Sequence, residues 1–386
     1  MKLYEYEAKD ILKKKGIPTP EGFLAASSQQ ARDAAAKIGK PVVVKAQVLL
    51  SGRGKAGGIF FASSMIEAEK AAEKLLHTEI KGTPIKMILV EEKIPIKKEL
   101  YVGVTVDRAN RSYVLISSSI GGMEIEEVAA QSPEKVLRTI INPWLGFRSF
   151  HARKIAKEMG YRGKQELELA QILETMYRVA MEHDSLIFEV NPLAETIEGE
   201  FVSVDARIII DDNAMFRHPK YEKAMFEEDR EQTLQEKQAL KNKVEYVKLD
   251  GNIGIMGNGA GLVMATLDMI KYYGGIPANF LDLGGGASLD RIASALKIIF
   301  SDPEVDVTFV NILGGITHCD EVANAIVETE ELTRRKKPMV IRLVGTNEEE
   351  GKRILRDAGF IALESMEEAA KKAVETAKKE EKTAWA

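Results

Sequence analysis

Cysteine is almost absent from this sequence, since Cys319 is the only one among 386 residues. A single thiol excludes an internal disulfide and a four-cysteine metal site, and such scarcity is typical of a reducing compartment. No apolar run approaches the ~18 residues that a membrane helix needs. The first residues carry Glu5 and Glu7, where a secretion signal would be apolar. The sequence therefore predicts a cytoplasmic protein that does not enter a membrane.

An excess of either charge is also missing. The chain has 54 Lys and Arg residues against 59 Asp and Glu residues, interleaved along its length, for a net charge of −5. A nucleic-acid-binding surface needs clustered positive charge, so this class of partner is not expected. Apolar residues make up 45% and charged residues 29%, which excludes disordered and fibrous chains. At ~150 residues per domain, the length predicts two or three domains.

The first part of the chain has an α+β pattern. Apolar spacing and caps predict helices over residues 3–12, 28–38 and 65–76. Apolar runs predict strands at residues 42–45, 59–61, 87–90, 100–106 and 113–117. These strands follow one another without regular crossover helices, which favours antiparallel pairing.

The last part of the chain has an α/β pattern. The charged segment 227–243 predicts a boundary, which gives domains over residues 1–240 and 241–386. Five apolar runs beyond it, at 253–256, 279–283, 307–313, 339–344 and 360–363, are each followed by a helical pattern. Consecutive β–α units predict an open parallel sheet of the flavodoxin or Rossmann type. Ligands of such sheets bind beyond the carboxyl ends of the strands, where this sequence concentrates its glycines.

One glycine-rich loop, residues 52–58, joins two predicted strands. Its glycines have Walker A spacing, but Gly58-Ile59 follows where Lys-Ser/Thr and a helix would be needed, so it is not a P-loop. Two interpretations remain open. The loop is either a flap over a nucleotide, with Lys45, Arg53 and Lys55 supplying positive charge, or an ordinary surface hairpin.

Two further glycine loops open helices in the last part. Residues 257–262 resemble a dinucleotide fingerprint, but Leu262 stands where the third glycine belongs, and Asp282 is only a loose candidate for the ribose carboxylate. Residues 314–320 form a second strand-to-helix turn. Each loop either binds an anion at the free N–H groups of the helix start or binds nothing. His318 and Cys319 lack a third His or Cys near in sequence, which disfavours a metal or nucleophile pair.

A hairpin is predicted over residues 186–207. A turn centred near 198–199 pairs residues whose numbers sum to about 396 or 397, which places Asn191 opposite Asp205 with side chains ~5 Å apart. Glu189 lies two residues before Asn191 and therefore on the same face. Carboxylate and amide oxygens suit Mg²⁺ that also contacts nucleotide phosphates. The alternative is a solvated polar face of an edge hairpin.

Several segments together resemble one family along nearly the whole chain. They are EYEAK (5–9), VVKAQ (43–47), GRGKAGG (52–58), KELY (98–101), EVNPL (189–193), DGNIG (250–254), NGAGL (258–262), PANFLD (277–282) and GGI (314–316). In this set and order they are similar to the β subunits of succinyl-CoA synthetases, also called succinate–CoA ligases.

The resemblance implies an N-terminal ATP-grasp domain followed by a flavodoxin-like CoA-ligase domain. It implies reversible ligation of succinate and CoA, coupled to ATP/ADP or GTP/GDP through a phosphohistidine on a partner α subunit. That partner forms a heterodimer or an α2β2 heterotetramer with the chain and binds most of the CoA.

The resemblance also assigns roles to residues. It implies that Glu189 steadies the phosphohistidine and that Asn191 and Asp205 hold Mg²⁺. The residues implied to contact nucleotide are Lys45, Gly52, Arg53, Gly54, Glu91, Ile94 and Glu99. The residues implied to contact the acid substrate are Asn258, Gly315, Ile316 and Thr317.

Departures from the family pattern keep other functions open. Thr317-His318 stands where members often carry Val-Arg, which leaves a malate–CoA ligase β subunit as an alternative. A carboxylate–amine ligase of the ATP-grasp type would leave the second domain unexplained. A non-catalytic binding module would not need the metal residues Asn191 and Asp205.

Overall fold

The structure is a computed structural model, and it describes residues 1–49, 52–80, 82–221, 224, 233–332 and 337–384. The chain forms two units, Met1–Glu231 and Gln232–Ala386. The second unit thus begins a little before the boundary expected after residue 240. Part of the charged segment used for that expectation, residues 227–232, lies outside the described residues.

The first unit contains two antiparallel sheets and a two-stranded ladder. Its strands are β1 (Gly22–Ala25), β2 (Val42–Ala46), β3 (Ile59–Ala62), β4 (Glu79–Ile80), β5 (Thr83–Pro84), β6 (Ile88–Glu92), β7 (Ile96–Asp107), β8 (Ser112–Ser118), β9 (Val136–Ile140), β10 (Ser185–Thr196), β11 (Phe201–Ser203) and β12 (Ala206–Ile210). The smaller sheet has the order β1-β6-β2-β3, the larger sheet has the order β11-β10-β7-β8-β9 with β12 also on β10, and β4 pairs with β5. The predicted antiparallel α+β arrangement is therefore confirmed.

Helices cover these sheets. They are α1 (Glu5–Lys14), α2 (Ser28–Ile38), α3 (Met65–Leu76), α4 (Ile125–Gln131), α5 (Ser149–Glu158) and α6 (Gly163–Glu182), with 3₁₀ turns at Pro133–Lys135 and Asp212–Arg217. The caps explain the bounds of α2, because the Ser27 hydroxyl accepts from Gln30 N and Gly39 ends the helix with φ +67°. Leu12 of α1 and Leu173 of α6 are fully buried with Phe188 of β10 in one core.

The predicted hairpin is present with the predicted register. Glu189 pairs with Arg207 and Leu193 with Ser203, so paired numbers sum to 396. The prediction of one continuous strand over residues 200–207 is wrong. The structure has two strands, β11 and β12, with an interruption at Val204 and Asp205, and β12 continues to Ile210. At the interruption Asn191 N donates to the Asp205 carbonyl at 3.2 Å.

The second unit is a parallel sheet with helices on both faces. Its strands are β13 (Glu245–Lys248), β14 (Ile253–Gly257), β15 (Asn279–Asp282), β16 (Val307–Gly314), β17 (Met339–Gly345) and β18 (Ala362–Leu363). Its helices are α7 (Leu234–Lys241), α8 (Ala260–Tyr272), α9 (Leu289–Ser301), α10 (Cys319–Leu332), α11 (Glu348–Asp357) and α12 (Met366–Ala384). The order is β13-β15-β14-β16-β17-β18, so the five parallel strands follow the flavodoxin order.

One strand of this sheet was not predicted. β13 pairs antiparallel with β15 at the edge, and its residues alternate between exposed and half-buried. The five parallel strands that were predicted are confirmed, and separate apolar cores lie on the two faces of the sheet. Within the part of the chain that the structure describes, no helix has the length and apolar character needed to cross a membrane.

Candidate functional site

A cavity of about 630 Å³ lies in the first unit, and residues of both sheets and of the loop 52–58 line it. This volume is in the ordinary range of small-molecule sites. Every residue of the first unit to which the resemblance assigns a role lines this one cavity, as does Lys55 of the loop. The residues with an assigned role are Lys45, Gly52, Arg53, Gly54, Glu91, Ile94, Glu99, Glu189, Asn191 and Asp205.

A cluster of buried charges forms the base of the cavity. The Lys45 ammonium lies 2.9 Å from Glu5 Oε1 and 2.8 Å from Glu91 Oε2. The Arg53 guanidinium contacts Glu5 and lies 2.8 Å from Asp205 Oδ1. Lys9 completes the cluster through Glu5 and Glu91. Three cations therefore face three carboxylates, which is the condition under which charges are tolerated in a protein interior.

The pairing holds Glu5 and Lys45 in their charged forms. Burial alone would raise the pKa of Glu5, but the nearby Arg53, Lys45 and Lys9 hold it well below its usual range. Burial opposes the charged form of Lys45 as well, yet the carboxylates of Glu5 and Glu91 outweigh it and raise the pKa of that ammonium. Lys45 thus stays protonated at the cavity wall, where Glu5 and Glu91 hold its ammonium.

Sequence reasoning assigned no role to Glu5 and Lys9, although a signal was present. Both lie on the buried stripe of α1 with Ala8 and Leu12, at helical spacing. Charged residues at core positions of an amphipathic helix are almost always paired, and the spacing of four residues predicts that these two pair with each other, as they do. Their other partners lie far along the chain, and sequence spacing alone does not identify them.

Asn191 lies in β10, Asp205 lies between β11 and β12, and both line the cavity. The Asn191 amide is oriented by two backbone groups, since its Oδ1 accepts from Gly122 N at 2.8 Å and its Nδ2 donates to Met123 O at 2.9 Å. The Asp205 side chain is 37% exposed and faces Arg53, and burial raises its pKa. An oriented amide oxygen and one accessible carboxylate fit a hydrated divalent cation.

The same donor set limits which cation fits. Among the described residues there is no group of three or more His, Cys, Asp or Glu side chains that would hold a metal by themselves. Mg²⁺ commonly takes only one or two protein ligands and completes its shell with water and substrate phosphates. The pair therefore fits Mg²⁺ that arrives with a phosphorylated ligand.

Glu189 lies two residues before Asn191 and lines the same cavity. Tyr101 donates its hydroxyl to Glu189 Oε2 at 3.3 Å, and Arg207 Nη1 lies 3.6 Å from Oε1. Burial raises the pKa of Glu189 despite the opposing charge of Arg207. Burial and the neighbouring Glu189 also raise the pKa of Tyr101, so its hydroxyl remains a donor.

In the second unit, Asn258 and the loop 314–317 lie at adjacent strand ends. Asn258 follows β14 and exchanges two hydrogen bonds with Leu313 at the end of β16, at 2.8 and 2.9 Å. These strands are neighbours at the point where the strand order reverses, which is where ligands of this fold bind. Ile316 is 83% exposed, whereas Thr317 is buried and accepts from Gly286 N at 3.0 Å.

Asp282 has a structural role in these loops. Its Oδ1 accepts from Gly259 N at 2.5 Å and from Gly284 N at 2.7 Å. The Asp282 carboxylate, the loose candidate for binding a ribose, thus connects two glycine loops by hydrogen bonds. One of these bonds is to a backbone N–H group at the start of α8. Cys319 is buried, and burial raises the pKa of its thiol, which disfavours a nucleophile.

Comparison with known families matches both parts of the chain. Residues 2–195 match an ATP-grasp domain and residues 256–376 match a CoA-ligase domain. The predicted order of an ATP-grasp domain followed by a flavodoxin-like CoA-ligase domain is confirmed.

Similar curated proteins span nearly the whole chain. The β subunit of ADP-forming succinate–CoA ligase from Ignicoccus hospitalis is 50% identical over 98% of this chain and 100% of that protein. The Staphylothermus marinus protein of the same name is 48% identical over 98% and 99%, and that of Herpetosiphon aurantiacus is 46% identical over 98% and 100%.

A solved structure has the same fold. ATP citrate lyase from Methanothrix soehngenii, in complex with citrate and coenzyme A, superposes with a TM-score of 0.75 over 97% of this chain and 99% of that one. At 18% identity, this likeness supports the fold alone.

Proposed function

The chain belongs to the family of succinate–CoA ligase β subunits, and from this membership we propose that it joins succinate to CoA at the expense of a nucleoside triphosphate. The reaction converts ATP, succinate and CoA into ADP, phosphate and succinyl-CoA, and it runs in both directions. The observation that carries the proposal is the near-full-length similarity to such β subunits, together with the gathering of the resemblance-implied residues in one cavity. A carboxylate–amine ligase or a binding module would not account for the CoA-ligase match over residues 256–376.

The cavity of the first unit is the proposed nucleotide site. The Lys45 ammonium and the Arg53 guanidinium supply the charge for the phosphates, and Gly52 and Gly54 let the loop backbone approach them. Glu91, Ile94 and Glu99 line the same cavity and complete the site. ADP is the favoured product because the relatives are named as ADP-forming.

Asn191 and Asp205 are the proposed holders of Mg²⁺, which when bound would neutralise charge on the phosphates. Arg53 is the group that changes partner. Its guanidinium pairs with Asp205, and it would become available to phosphate when the Asp205 carboxylate turns to another cation.

Glu189 is proposed to steady a phosphorylated histidine that enters the cavity. The chain has five histidines, all of them described, and none of them lines the cavity. This supports a histidine supplied by a partner α subunit, which would also bind most of the CoA. Either a heterodimer or an α2β2 heterotetramer satisfies this requirement. A cytoplasmic location agrees with the single, buried Cys319.

Asn258 and the loop Gly315-Ile316-Thr317 are the proposed contacts for the organic acid. Succinate is the proposed acid, and malate is the second candidate because Thr317-His318 departs from the Val-Arg that the resemblance implies. The two acids are distinguished by restoring Val-Arg at positions 317–318.

The test is an assay resolved by acid and by nucleotide. The chain is co-expressed with its α subunit, and CoA-dependent ADP or GDP formation is measured with succinate and with malate. We expect succinate and ATP to give the highest kcat/KM. The double substitution Thr317→Val with His318→Arg should change KM for the acid more than KM for ATP. A preference for malate would overturn the substrate assignment, and equal effects on both KM values would make the loop structural.

A further inference from the structure

Two ammonium groups share one set of partners at the base of the cavity. Lys9 Nζ donates to both oxygens of Glu91 at 2.6 Å and to Val204 O at 2.7 Å, and it lies 2.7 Å from Glu5 Oε1. Lys45 Nζ contacts the same carboxylates at 2.9 and 2.8 Å and the same carbonyl at 2.6 Å. Lys45 lines the cavity, whereas Lys9 lies buried behind the wall that Glu5 and Glu91 contribute.

This duplication matters when a ligand binds. Lys45 can contact a phosphate only as its bonds to Glu5 and Glu91 weaken. Glu5 would still have Arg53 as a partner, but the pairs that the structure describes for Glu91 are with Lys9 and Lys45. A buried carboxylate that loses its counter-ion is strongly destabilised, so Glu91 would hold Lys45 back if Lys9 did not serve it. Lys9 keeps both carboxylates compensated while Lys45 turns to the cavity.

We propose that Lys9 is a positioning residue, a resident counter-ion for Glu5 and Glu91 that releases the Lys45 ammonium to the phosphates of the nucleotide. The proposal rests on the nucleotide-binding function proposed for this cavity. Lys9 itself does not touch the nucleotide in this account. Replacing Lys9 should therefore change nucleotide affinity and leave the binding of the acid and of CoA unchanged.

The first test is a binding measurement on the full chain with Mg²⁺ and ADP. Lys9→Met should weaken the Kd for ADP about 10- to 100-fold, the range found for residues that act behind a binding group. The matched control is Lys14→Met, on the same helix, 66% exposed and paired at the surface with Asp10. The control should keep the wild-type Kd. In the complex with the α subunit, KM for ATP should rise by the same factor and KM for succinate should not change.

A charge-retaining variant separates this role from a merely structural one. In Lys9→Met, the cations Lys45 and Arg53 face three carboxylates, those of Glu5, Glu91 and Asp205. Lys9→Arg, which keeps the positive charge, should bind ADP more tightly than Lys9→Met. A folded Lys9→Arg that binds ADP as weakly as Lys9→Met would contradict the counter-ion role.

Each outcome decides the question. If folded Lys9→Met binds ADP as tightly as wild type, Lys9 is structural and the proposal is wrong. If Lys9→Met does not fold, Lys9→Gln replaces it, because its amide can still donate to Glu91 and Val204 O but carries no charge. Weaker ADP binding by folded Lys9→Gln supports the proposal, and wild-type affinity there overturns it. A wild-type chain that fails to bind ADP at all would instead contradict the proposed function.

Discussion

Asp205→Asn tests the metal-holding pair with little disturbance of the fold. The amide has the shape of the carboxylate, so packing is kept and one negative charge is lost. Arg53 loses the contact at 2.8 Å but keeps Glu5 and its bond to Ala46 O at 3.2 Å. The Asp205 side chain is 37% exposed, so the lost pair should cost about 1 kcal/mol of folding stability or less.

The effect on Mg²⁺-dependent nucleotide binding should be much larger. Replacing a residue that hydrogen-bonds to a metal ligand lowers metal affinity ~10- to 100-fold. Replacing a metal ligand itself should therefore lower it about 100-fold or more. At a free ADP concentration ~100 times the wild-type Kd, binding stabilises the folded wild type by ~2.7 kcal/mol. At the same concentration it stabilises a variant of ~100-fold lower affinity by only ~0.4 kcal/mol. At ~2–4 °C per kcal/mol for a unit of this size, wild type should gain ~5–10 °C in Tm and the variant ~1–2 °C.

The assay is thermal unfolding of the full chain with and without Mg²⁺ and ADP at one fixed concentration. Asp10→Asn is the matched control, because its carboxylate is exposed on α1 and pairs with Lys14 at the surface. It should show the full wild-type shift. An equal ligand-induced shift in Asp205→Asn and wild type would refute the metal role of Asp205.

Three further predictions concern other parts of the site. Glu189→Gln should lower kcat ~100-fold or more, yet unfold at the same or a higher temperature at pH 7. Burial raises the pKa of Glu189 in the folded chain, so its folding stability falls as the pH rises from the unfolded-state pKa of ~4.3 through the folded-state pKa. The higher stability of Glu189→Gln should therefore vanish below this pH window. A stability difference in favour of Gln that grows in acid would contradict this. Asn191→Ala should weaken nucleotide binding as Asp205→Asn does, and the double variant measured by calorimetry should be non-additive; simple addition would mean that the two do not share an ion. Gly315→Val should fold normally, since no atom lies within 4 Å of an added Cβ, and should abolish succinyl-CoA formation while leaving the Kd for ADP unchanged; unaltered turnover would remove this loop from the acid site.

Local rules were sufficient for the hairpin that carries Glu189, Asn191 and Asp205. Side chains alternate with period two, and a short turn fixes the register, so counting from residues 198–199 gave the pairing that the structure has. Counting did not predict the break in the ladder at Val204 and Asp205. That break depends on side-chain and backbone partners elsewhere in the fold, and the sequence near the turn carries no sign of it.

Long-range pairing was beyond sequence reasoning in the buried cluster. Lys9 contacts Glu91, 82 positions away, and Val204, 195 positions away, and no spacing rule connects such residues. β13 was missed for a different reason, because an edge strand with one half-buried face has no continuous apolar run. Asp282 was considered for a ribose, and only the folded loops reveal that glycine N–H groups already occupy its oxygen.

The most direct test of the central claim is CoA- and succinate-dependent formation of ADP from ATP, measured with the chain alone and with its α subunit. The chain alone should bind Mg²⁺ and ADP but give no turnover, because none of its histidines lines the cavity. The complex should turn over and should lose activity when Lys45 is replaced by methionine. Turnover by the chain alone, or full activity of the Lys45→Met complex, would contradict the assignment of this cavity as the nucleotide site of a β subunit.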